Sequence, residues 1–198
     1  MDWNFHLNAM FYVIGSGLFI AGSVMFHPEF SVKIILYKMA VSFFIFGSFL
    51  FLCAAVQQLF NDFRRVHQLS DNILNGNQRT MIDLSFSISQ NTTSMINGVL
   101  FVIGSVGFWP EFGTGGSLVG NWFYRCASTL TLLNSICSLI RQRKEKFKLM
   151  TIMSLIGAVG FLMGGGFFLK GENFNQYGSF AWIIGSSAFF VSALLLYK

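Results

Sequence analysis

Six apolar windows, most of them close to the length needed to cross a bilayer, constrain this chain more than any other feature. A transmembrane helix needs about 20 apolar residues, and only helices or closed barrels satisfy their backbone polar groups in lipid. The windows lack the alternation of apolar and polar residues that is typical of membrane strands. The sequence therefore predicts an all-α integral membrane protein with six transmembrane helices, at approximately 8–27, 34–59, 95–110, 121–140, 149–169 and 177–197.

The composition excludes an ordinary soluble domain. The 198 residues are 54% hydrophobic and 11% charged, whereas soluble domains carry about 25% charged residues. The net charge of +5 does not predict a nucleic-acid partner, because the charges lie at the ends of the apolar windows. We expect the partners to be the lipid bilayer, with anionic headgroups at its cytoplasmic face, and either further copies of the chain or another membrane protein.

The basic residues are divided unevenly between the two sides of the predicted helices. Nine of the 13 Lys and Arg residues lie in the connections 60–94 and 141–148 or at Lys198, and four lie on the opposite side. Short cytoplasmic loops carry an excess of Lys and Arg. Both termini are therefore predicted to be cytoplasmic, and we expect the chain in the inner, cytoplasmic membrane of a bacterium.

The order of the windows predicts three helical hairpins. We expect residues 1–60 to form the first hairpin, 95–140 the second and 149–198 the third. A partly helical cytoplasmic connection at 61–94 and a basic cytoplasmic loop at 141–148 separate them. The polar part of 61–94 has two open interpretations: a helix along the membrane surface or a solvated loop.

The first two hairpins share a sequence register, which indicates internal repetition. Asn8 precedes Gly15 by the same seven residues that separate Asn97 from Gly104, and each helix is followed by the tripeptide Pro-Glu-Phe. Because each hairpin begins and ends on the same side, the copies are predicted to be parallel repeats about an axis along the membrane normal.

The second helices of the hairpins are aligned through a tyrosine that precedes a basic residue. Tyr37 and Tyr124 each begin such a pair, and the register from these tyrosines predicts that Gly47-Ser48 corresponds to Asn134-Ser135. The third hairpin lacks the pair and keeps only small doublets, so it is interpreted as a diverged copy; its doublets are Gly157-Ala158 and Gly185-Ser186.

Small residues recur in the middle of the predicted helices. Where large side chains are missing, helix backbones approach closely and serines bond their neighbours, so close packing is one interpretation. The other is that three consecutive glycines make the fifth helix a hinge or open a water path. The candidate packing or hinge residues are Gly15, Ser16, Gly47, Ser48, Gly104, Ser105, Gly160, Gly164, Gly165, Gly166, Gly185 and Ser186.

The same doublets carry a resemblance to a known family. They occur as Ile14-Gly15-Ser16, Phe46-Gly47-Ser48 followed by Phe-Leu-Phe-Leu, Ile103-Gly104-Ser105 and Ile184-Gly185-Ser186. In these motifs the chain resembles the YrhK-like family, small bacterial membrane modules of paired helices. The resemblance implies the fold of the hairpins and implies no established chemistry.

Catalytic chemistry has little support in the sequence. The three histidines lie at different levels and are not spaced as metal ligands, and the eight carboxylates are expected at or beyond helix ends. No motif of a nucleotide-binding loop, zinc protease or serine hydrolase is present. We therefore expect no enzyme activity, no cofactor and no metal. Polar residues inside the windows, Asn97 and Asn134 among them, are interpreted as interhelical bonds or as the lining of a narrow path.

Two pairs of opposite charges flank the predicted outer turns. Glu29 is paired with Lys38, and Glu111 with Arg125, so that each pair joins the end of one helix to the start of the next. One interpretation is a clasp that neutralises the two charges of each hairpin. The other is that Lys38 and Arg125 line an outer vestibule that attracts anions.

These features predict a non-enzymatic membrane protein that acts as a scaffold or as an accessory subunit of a membrane assembly. The alternative is a small oligomeric ion channel or permeation protein with a basic outer vestibule. Because six helices enclose little volume, a pore of useful width is expected between subunits.

Overall fold

The computed structural model describes residues 3–70, 78–141 and 145–197, and the regular structure within these ranges is helical throughout. Parts of the predicted basic connections, among them Arg143 and Lys144, lie outside the described residues, as does Lys198. The helices are α1 (Trp3–Met25), α2 (Pro28–Ser31), α3 (Ile34–Ser70), α4 (Gln78–Gly107), α5 (Gly113–Arg141), α6 (Glu145–Phe168) and α7 (Asn175–Tyr197), with 3-10 turns at Pro110–Phe112 and Glu172–Phe174.

The long helices close into a ring. The order of neighbours is α1, α3, α4, α5, α6, α7 and back to α1. Hairpin 1 is α1 with α3, hairpin 2 is α4 with α5, and hairpin 3 is α6 with α7. We call the end that carries the three short connections Pro28–Ser31, Pro110–Phe112 and Glu172–Phe174 the turn end, and the opposite end the far end.

Proline and glycine shape the turn end. Pro28 and Pro110 each stand first in a short helical turn, where their fixed φ suits the helix and the missing N–H group is not needed. Gly113 and Gly171 have φ values of 63° and 108°, which residues with a side chain adopt only at a cost. These residues let the chain reverse within a few positions and keep paired helices adjacent.

Four helices are individually long and apolar enough to cross a membrane. They are represented by the segments His6–Met25, Ile34–Gln68, Phe147–Phe168 and Asn175–Leu196. In hairpin 2, the segments Met81–Gly107 and Pro110–Arg141 meet that criterion only when taken together, and they are bent by 72° at their break. The prediction of several apolar membrane helices is therefore confirmed for four or five spans.

The third long helix extends beyond its predicted apolar window, as the partly helical connection 61–94 allows. The apolar window predicts its start near residue 95, whereas α4 begins at Gln78 and α3 continues to Ser70. Much of the supposed connection 61–94 is thus continuous with the two long helices. The apolar window underestimates α4 because its polar residues bond other helices, a contribution that local hydropathy does not contain.

The same close helix approach occurs in three helix pairs among the described residues. A methyl group added at Gly47 would lie 2.9 Å from the Gly15 carbonyl oxygen and equally close to the ring of Phe19. In hairpin 2, a methyl group at Gly120 would meet the Gly104 carbonyl oxygen and the ring of Phe108. In hairpin 3, a methyl group at Gly185 would meet the Gly157 carbonyl oxygen and the ring of Phe161.

This geometry corrects the register derived from the sequence. Gly120, and not Asn134, faces Gly104 in hairpin 2, so Gly47-Ser48 corresponds in position to Gly120-Asn121. The tyrosine that precedes a basic residue misled the alignment, since Phe51 occupies against Gly15 the position that Tyr124 occupies against Gly104.

The glycines of α6 have unequal surroundings. Gly160 packs against the backbone of Gly185, Gly164 against the indole of Trp182, and Gly165 against the side chain of Arg125, whereas a methyl group at Gly166 would meet nothing within 4 Å. The helix runs through all of them without a break.

Four serines of the small doublets are fully buried: Ser16, Ser48, Ser105 and Ser186. The Ser48 and Ser105 hydroxyls, 3.0 Å apart, join hairpins 1 and 2.

Aromatic side chains from all three hairpins fill the axis of the ring. The ring centroids of Phe19 and Tyr124 are 6.4 Å apart, those of Tyr124 and Phe161 5.9 Å, and those of Phe161 and Phe19 5.6 Å. These three side chains, one from each hairpin, close a triangle, and Phe44 and Trp182 extend the packing toward the turn end. We call this group the aromatic core.

We expect Gly160→Leu to destabilise the protein strongly and Gly166→Leu to leave it nearly unchanged. A larger side chain at Gly160 must displace backbone atoms of α7, and overpacking of this kind lowers the unfolding temperature by about 5 °C or more. Thermal unfolding in detergent, followed by circular dichroism, measures both variants. Equal unfolding temperatures for the two would contradict the importance of the α6–α7 approach.

Candidate functional site

The charged pairs at the turn end differ from the predicted ones. Lys38 Nζ donates a hydrogen bond of 2.6 Å to Glu111 Oε1 and so links hairpin 1 to hairpin 2. The predicted pairing of Lys38 with Glu29 and of Arg125 with Glu111 is wrong, because ring closure brings the start of α3 next to the α4–α5 turn. Glu29 is exposed, and the Arg125 guanidinium lies 4.9 Å from the centre of the Trp122 ring.

The Lys38–Glu111 pair is partly exposed, with 41% and 56% of the two side chains accessible. The hydrogen bond from Lys38 lowers the pKa of the Glu111 carboxyl below its usual value. Exposed pairs of this kind contribute little to stability. Because the Glu111 carboxylate lies against the Lys38 ammonium group, the positive charge of Lys38 is largely neutralised. This weakens the interpretation that Lys38 forms half of a basic vestibule.

A cavity of about 290 Å³ occupies the ring on the far side of the aromatic core. Residues from the α5 end and the α6 start contribute to it, which places it toward the far end. Its walls carry amides and hydroxyls along α4 and α5, and its inner surface includes Phe51, Phe101 and Phe189. We call it the polar cavity.

Hydrogen bonds between helices hold the walls of the polar cavity. Asn97 Nδ2 donates to Thr131 Oγ1 at 3.0 Å and joins α4 to α5. The hydroxyls of Ser154 and Ser192 are 2.8 Å apart and join α6 to α7. Asn97 is 7% exposed, and its side-chain oxygen is buried without a hydrogen-bond partner. This oxygen is buried between helices beside the cavity, so it is not presented to a molecule inside the cavity.

Asp62 is the charged residue that sequence reasoning missed. It was expected at a helix end, but it lies inside α3 and is 3% exposed. Its Oδ2 accepts hydrogen bonds from Ser87 Oγ at 2.7 Å and Asn91 Nδ2 at 2.6 Å. Arg65 lies 3.8 Å from the other carboxylate oxygen. Asp62 thus ties α3 to α4, and through Asn91 it adjoins the polar cavity.

Helix length explains how a buried carboxylate is tolerated in this position. Asp62 is about 42 Å from Ile34 along the helix, since an α-helix rises about 1.5 Å per residue. The hydrocarbon core of a bilayer is only about 30 Å thick. If Ile34 lies near one surface of that core, Asp62 lies beyond the other, where charged groups are hydrated at lower cost.

A helical periodicity in the sequence could have identified the polar cavity. Thr131, Asn134, Ser135 and Ser138 follow one another at offsets of three, four and seven residues from the first, which places them on one face of α5. All four line the cavity. The apolar windows emphasise hydropathy averaged round the helix and hide such a face.

The polar cavity differs from a metal centre. Among the described residues, no three His, Cys, Asp or Glu side chains lie close enough to hold a metal ion. The cavity instead offers neutral donors and acceptors, which can bind polar groups by hydrogen bonding.

Residues 6–63 match the family described as YrhK-like protein. The match covers nearly all of hairpin 1, from α1 into α3, and confirms the resemblance over these residues. The resemblance of hairpins 2 and 3 stays a prediction. No match to the chain was found among curated proteins or among solved structures.

We expect Asp62→Leu to lower the unfolding temperature more than Asp83→Leu. Removing the buried Asp62 carboxylate takes the shared acceptor from Ser87 and Asn91, which are partly buried, and a hydrogen bond to a charged group contributes about 1.5 kcal/mol or more. The Asp83 side chain, 62% exposed, forms an ion pair with Arg141 and loses less. Thermal unfolding of both variants in detergent tests this, and an equal loss would show that Asp62 is not a special tie between α3 and α4.

Proposed function

We propose that this chain is a non-enzymatic multi-pass membrane protein that acts as a scaffold or as an accessory subunit of a membrane assembly. The observation that carries the proposal is the aromatic core. Phe19, Tyr124 and Phe161 are each at most 1% exposed, and each comes from a different hairpin. A protein whose axis is filled with packed rings is suited to acting through its surfaces and its far-end cavity.

The aromatic core argues against conduction through the axis of a single chain. The polar cavity reaches as far as Phe101, which packs against Phe19 and Tyr124 at centroid distances of 6.0 and 5.0 Å. An ion moving further would lose its hydration among aromatic rings with few polar atoms to replace it. The polar lining inside the ring is therefore confined to the far-end side of the aromatic core.

Six membrane crossings are part of the same proposal. Polar residues of α4 bond to Asp62 and line the cavity, whereas the exposed positions from Ile96 onward are apolar and follow helical spacing. Lipid would contact this exposed face, so α4 can span a bilayer although its average composition is too polar. The exposed positions are Ile96, Val99, Ile103 and Val106, each at least 40% accessible.

Three parallel hairpins with cytoplasmic termini are also part of this proposal. The repeated approach of Gly15 to Gly47, of Gly104 to Gly120 and of Gly157 to Gly185 supports three related units around one axis. The far end carries the exposed Arg64 and Arg65, which suit the anionic headgroups of the cytoplasmic face of a bacterial inner membrane.

We expect the purified protein in liposomes to give no ion flux above that of empty liposomes, because the aromatic core closes the axis. Anion and cation flux are measured with entrapped dyes, and an added pore-forming peptide serves as the positive control. The rival channel hypothesis requires flux through an oligomer. Flux that loses its anion selectivity in a Lys38→Gln, Arg125→Gln double variant would replace the scaffold proposal with that channel.

We expect the tagged chain, solubilised in mild detergent from the cells that produce it naturally, to retain a partner membrane protein at a fixed molar ratio. A tagged, unrelated multi-pass protein of similar abundance is the control. Quantitative mass spectrometry measures the ratio across several extraction conditions. A chain that is recovered only with lipid under every condition would contradict the scaffold role.

The topology has its own test, in a background in which Cys53, Cys126 and Cys137 are replaced by Ser. We expect Asn173→Cys to react with a membrane-impermeant maleimide in intact cells, because the turn end is proposed to face outward. His67→Cys is expected to react only after the membrane is permeabilised. The reverse pattern, or labelling of both positions in intact cells, would exclude the proposed orientation.

A further inference from the structure

The exposed side of α3 changes from apolar to polar at one point near the far end. Between Phe46 and Phe63 every exposed residue of this helix is apolar, and between Arg64 and Gln68 every exposed residue is polar or charged. Arg64 is about 45 Å from Ile34 along the helix, comparable with the thickness of a bilayer and its headgroups, about 40–45 Å. The change between Phe63 and Arg64 therefore indicates that α3 meets the lipid headgroups here.

Two phenylalanines form the apolar edge of this boundary. Phe60 and Phe63 are 55% and 54% exposed, and their separation of three residues places them side by side on the helix. The exposed Val56 precedes them on the same face. Side chains of a helix point back toward its N-terminus, which in α3 is the direction of the bilayer. The two rings are therefore placed to contact the acyl chains of a phospholipid close to its headgroup.

Arg64 lies against this apolar edge. Its guanidinium carbon is 4.4 Å from the centre of the Phe60 ring, within the distance of about 6 Å that is typical of cation–π contacts. Guanidinium groups stack on aromatic faces, and the N–H groups along their edge match two oxygens of a phosphate. The ring contact thus holds the Arg64 guanidinium at the boundary and leaves donors for a phosphate.

The positive charge of Arg64 is not neutralised in the way that its neighbours are. Arg65 lies 3.8 Å from the Asp62 carboxylate, and Arg141 forms an ion pair with Asp83. In the part of the chain that the structure describes, no carboxylate pairs with Arg64. An anionic group that approaches the far end would therefore gain most from a contact with Arg64.

We propose that Phe60, Phe63 and Arg64 form a binding site for a phospholipid with an anionic headgroup. The acyl chains contact the two rings, and the Arg64 guanidinium donates hydrogen bonds to the phosphate. A lipid fits better than the competing occupant, an acidic segment of a partner protein, because rings and guanidinium follow the order of acyl chain and phosphate. The site rests on the proposed function only in its assignment to the cytoplasmic leaflet.

The test uses the full-length protein in mild detergent and native mass spectrometry. Dioleoylphosphatidylglycerol is the anionic probe, and dioleoylphosphatidylcholine, which has the same chains and no net charge, is the reference. We expect the protein to retain the anionic lipid at least about fivefold more than the reference, since one basic residue near a headgroup favours an anionic lipid by about this factor. Equal retention of the two lipids would overturn the site.

Two matched variants locate the lipid. Arg64→Gln and Arg141→Gln each remove one positive charge from the far end, and the Arg141 guanidinium also lies over a ring, 4.3 Å from the centre of Phe86. We expect Arg64→Gln to lower the retention of phosphatidylglycerol about fivefold and Arg141→Gln to lower it less than about twofold, because Asp83 neutralises Arg141. An equal loss in both variants would indicate a diffuse attraction to the charged end and would overturn the site.

The part of the Phe60 ring has its own variants. Arg64→Lys keeps the charge but loses the planar fork, and Phe60→Leu keeps an apolar side chain but loses the ring face. Both side chains are exposed, so the helicity measured by circular dichroism is expected to stay unchanged. We expect each variant to lower the retention of phosphatidylglycerol at least about twofold. Unchanged retention in both would show that charge alone attracts the lipid and would overturn the site.

The result is distinguishable from a failure of the scaffold role, because lipid retention in detergent requires no partner protein. A chain that retains no partner but prefers phosphatidylglycerol would lose the scaffold role and keep the lipid site. Equal retention of the two lipids, together with release of a co-purified protein by Arg64→Gln, would overturn the lipid site and assign the surface to an acidic protein partner.

Discussion

The contact of glycine backbones within each hairpin is the constraint on which the rest of the structure depends. Where Gly15 meets Gly47, the two helices lie close enough for Phe19 and Phe51 to occupy the space that side chains on the glycines would need. In the other two hairpins, aromatic rings likewise fill the space beside the paired glycines. Dispersion contacts, rather than a hydrophobic effect, drive helix association in lipid, so close approach gains stability where burial alone would not. The aromatic core is the consequence of three such approaches around one axis.

The polar half of the ring follows a different rule. Polar groups within a membrane protein must find partners inside it, and α4 meets this requirement by turning Ser87 and Asn91 toward Asp62 and Asn97 toward Thr131. The helix can then keep an apolar outer face. One helix thus carries lipid-facing, bonding and cavity-lining positions, and its mean hydropathy describes none of them well.

The sequence predicted what depends on local composition. Apolar windows identified α1, α6 and α7 closely and the start of α3, and the small doublets identified most residues of the close approaches. Pairings that depend on ring closure were not predictable. Lys38 binds Glu111 of the neighbouring hairpin because the turns of two hairpins meet. Within hairpin 2, Gly120 faces Gly104, a contact that depends on how the two helices pack and that the tyrosine alignment does not determine. Asp62 was missed because a carboxylate within a long apolar helix is buried only when a second helix supplies donors.

The two halves of the ring also divide its possible roles. The aromatic half is held by rings that interlock across hairpins, and a ligand there would have to displace the triangle of Phe19, Tyr124 and Phe161. The polar half has fewer large side chains, and hydrogen bonds between paired helices hold it, such as those of Asn97 with Thr131 and of Ser154 with Ser192. Asp62, bound to Ser87 and Asn91, adds a link between hairpins 1 and 2, whereas the aromatic triangle joins all three hairpins, so the aromatic half contributes most to closing the ring.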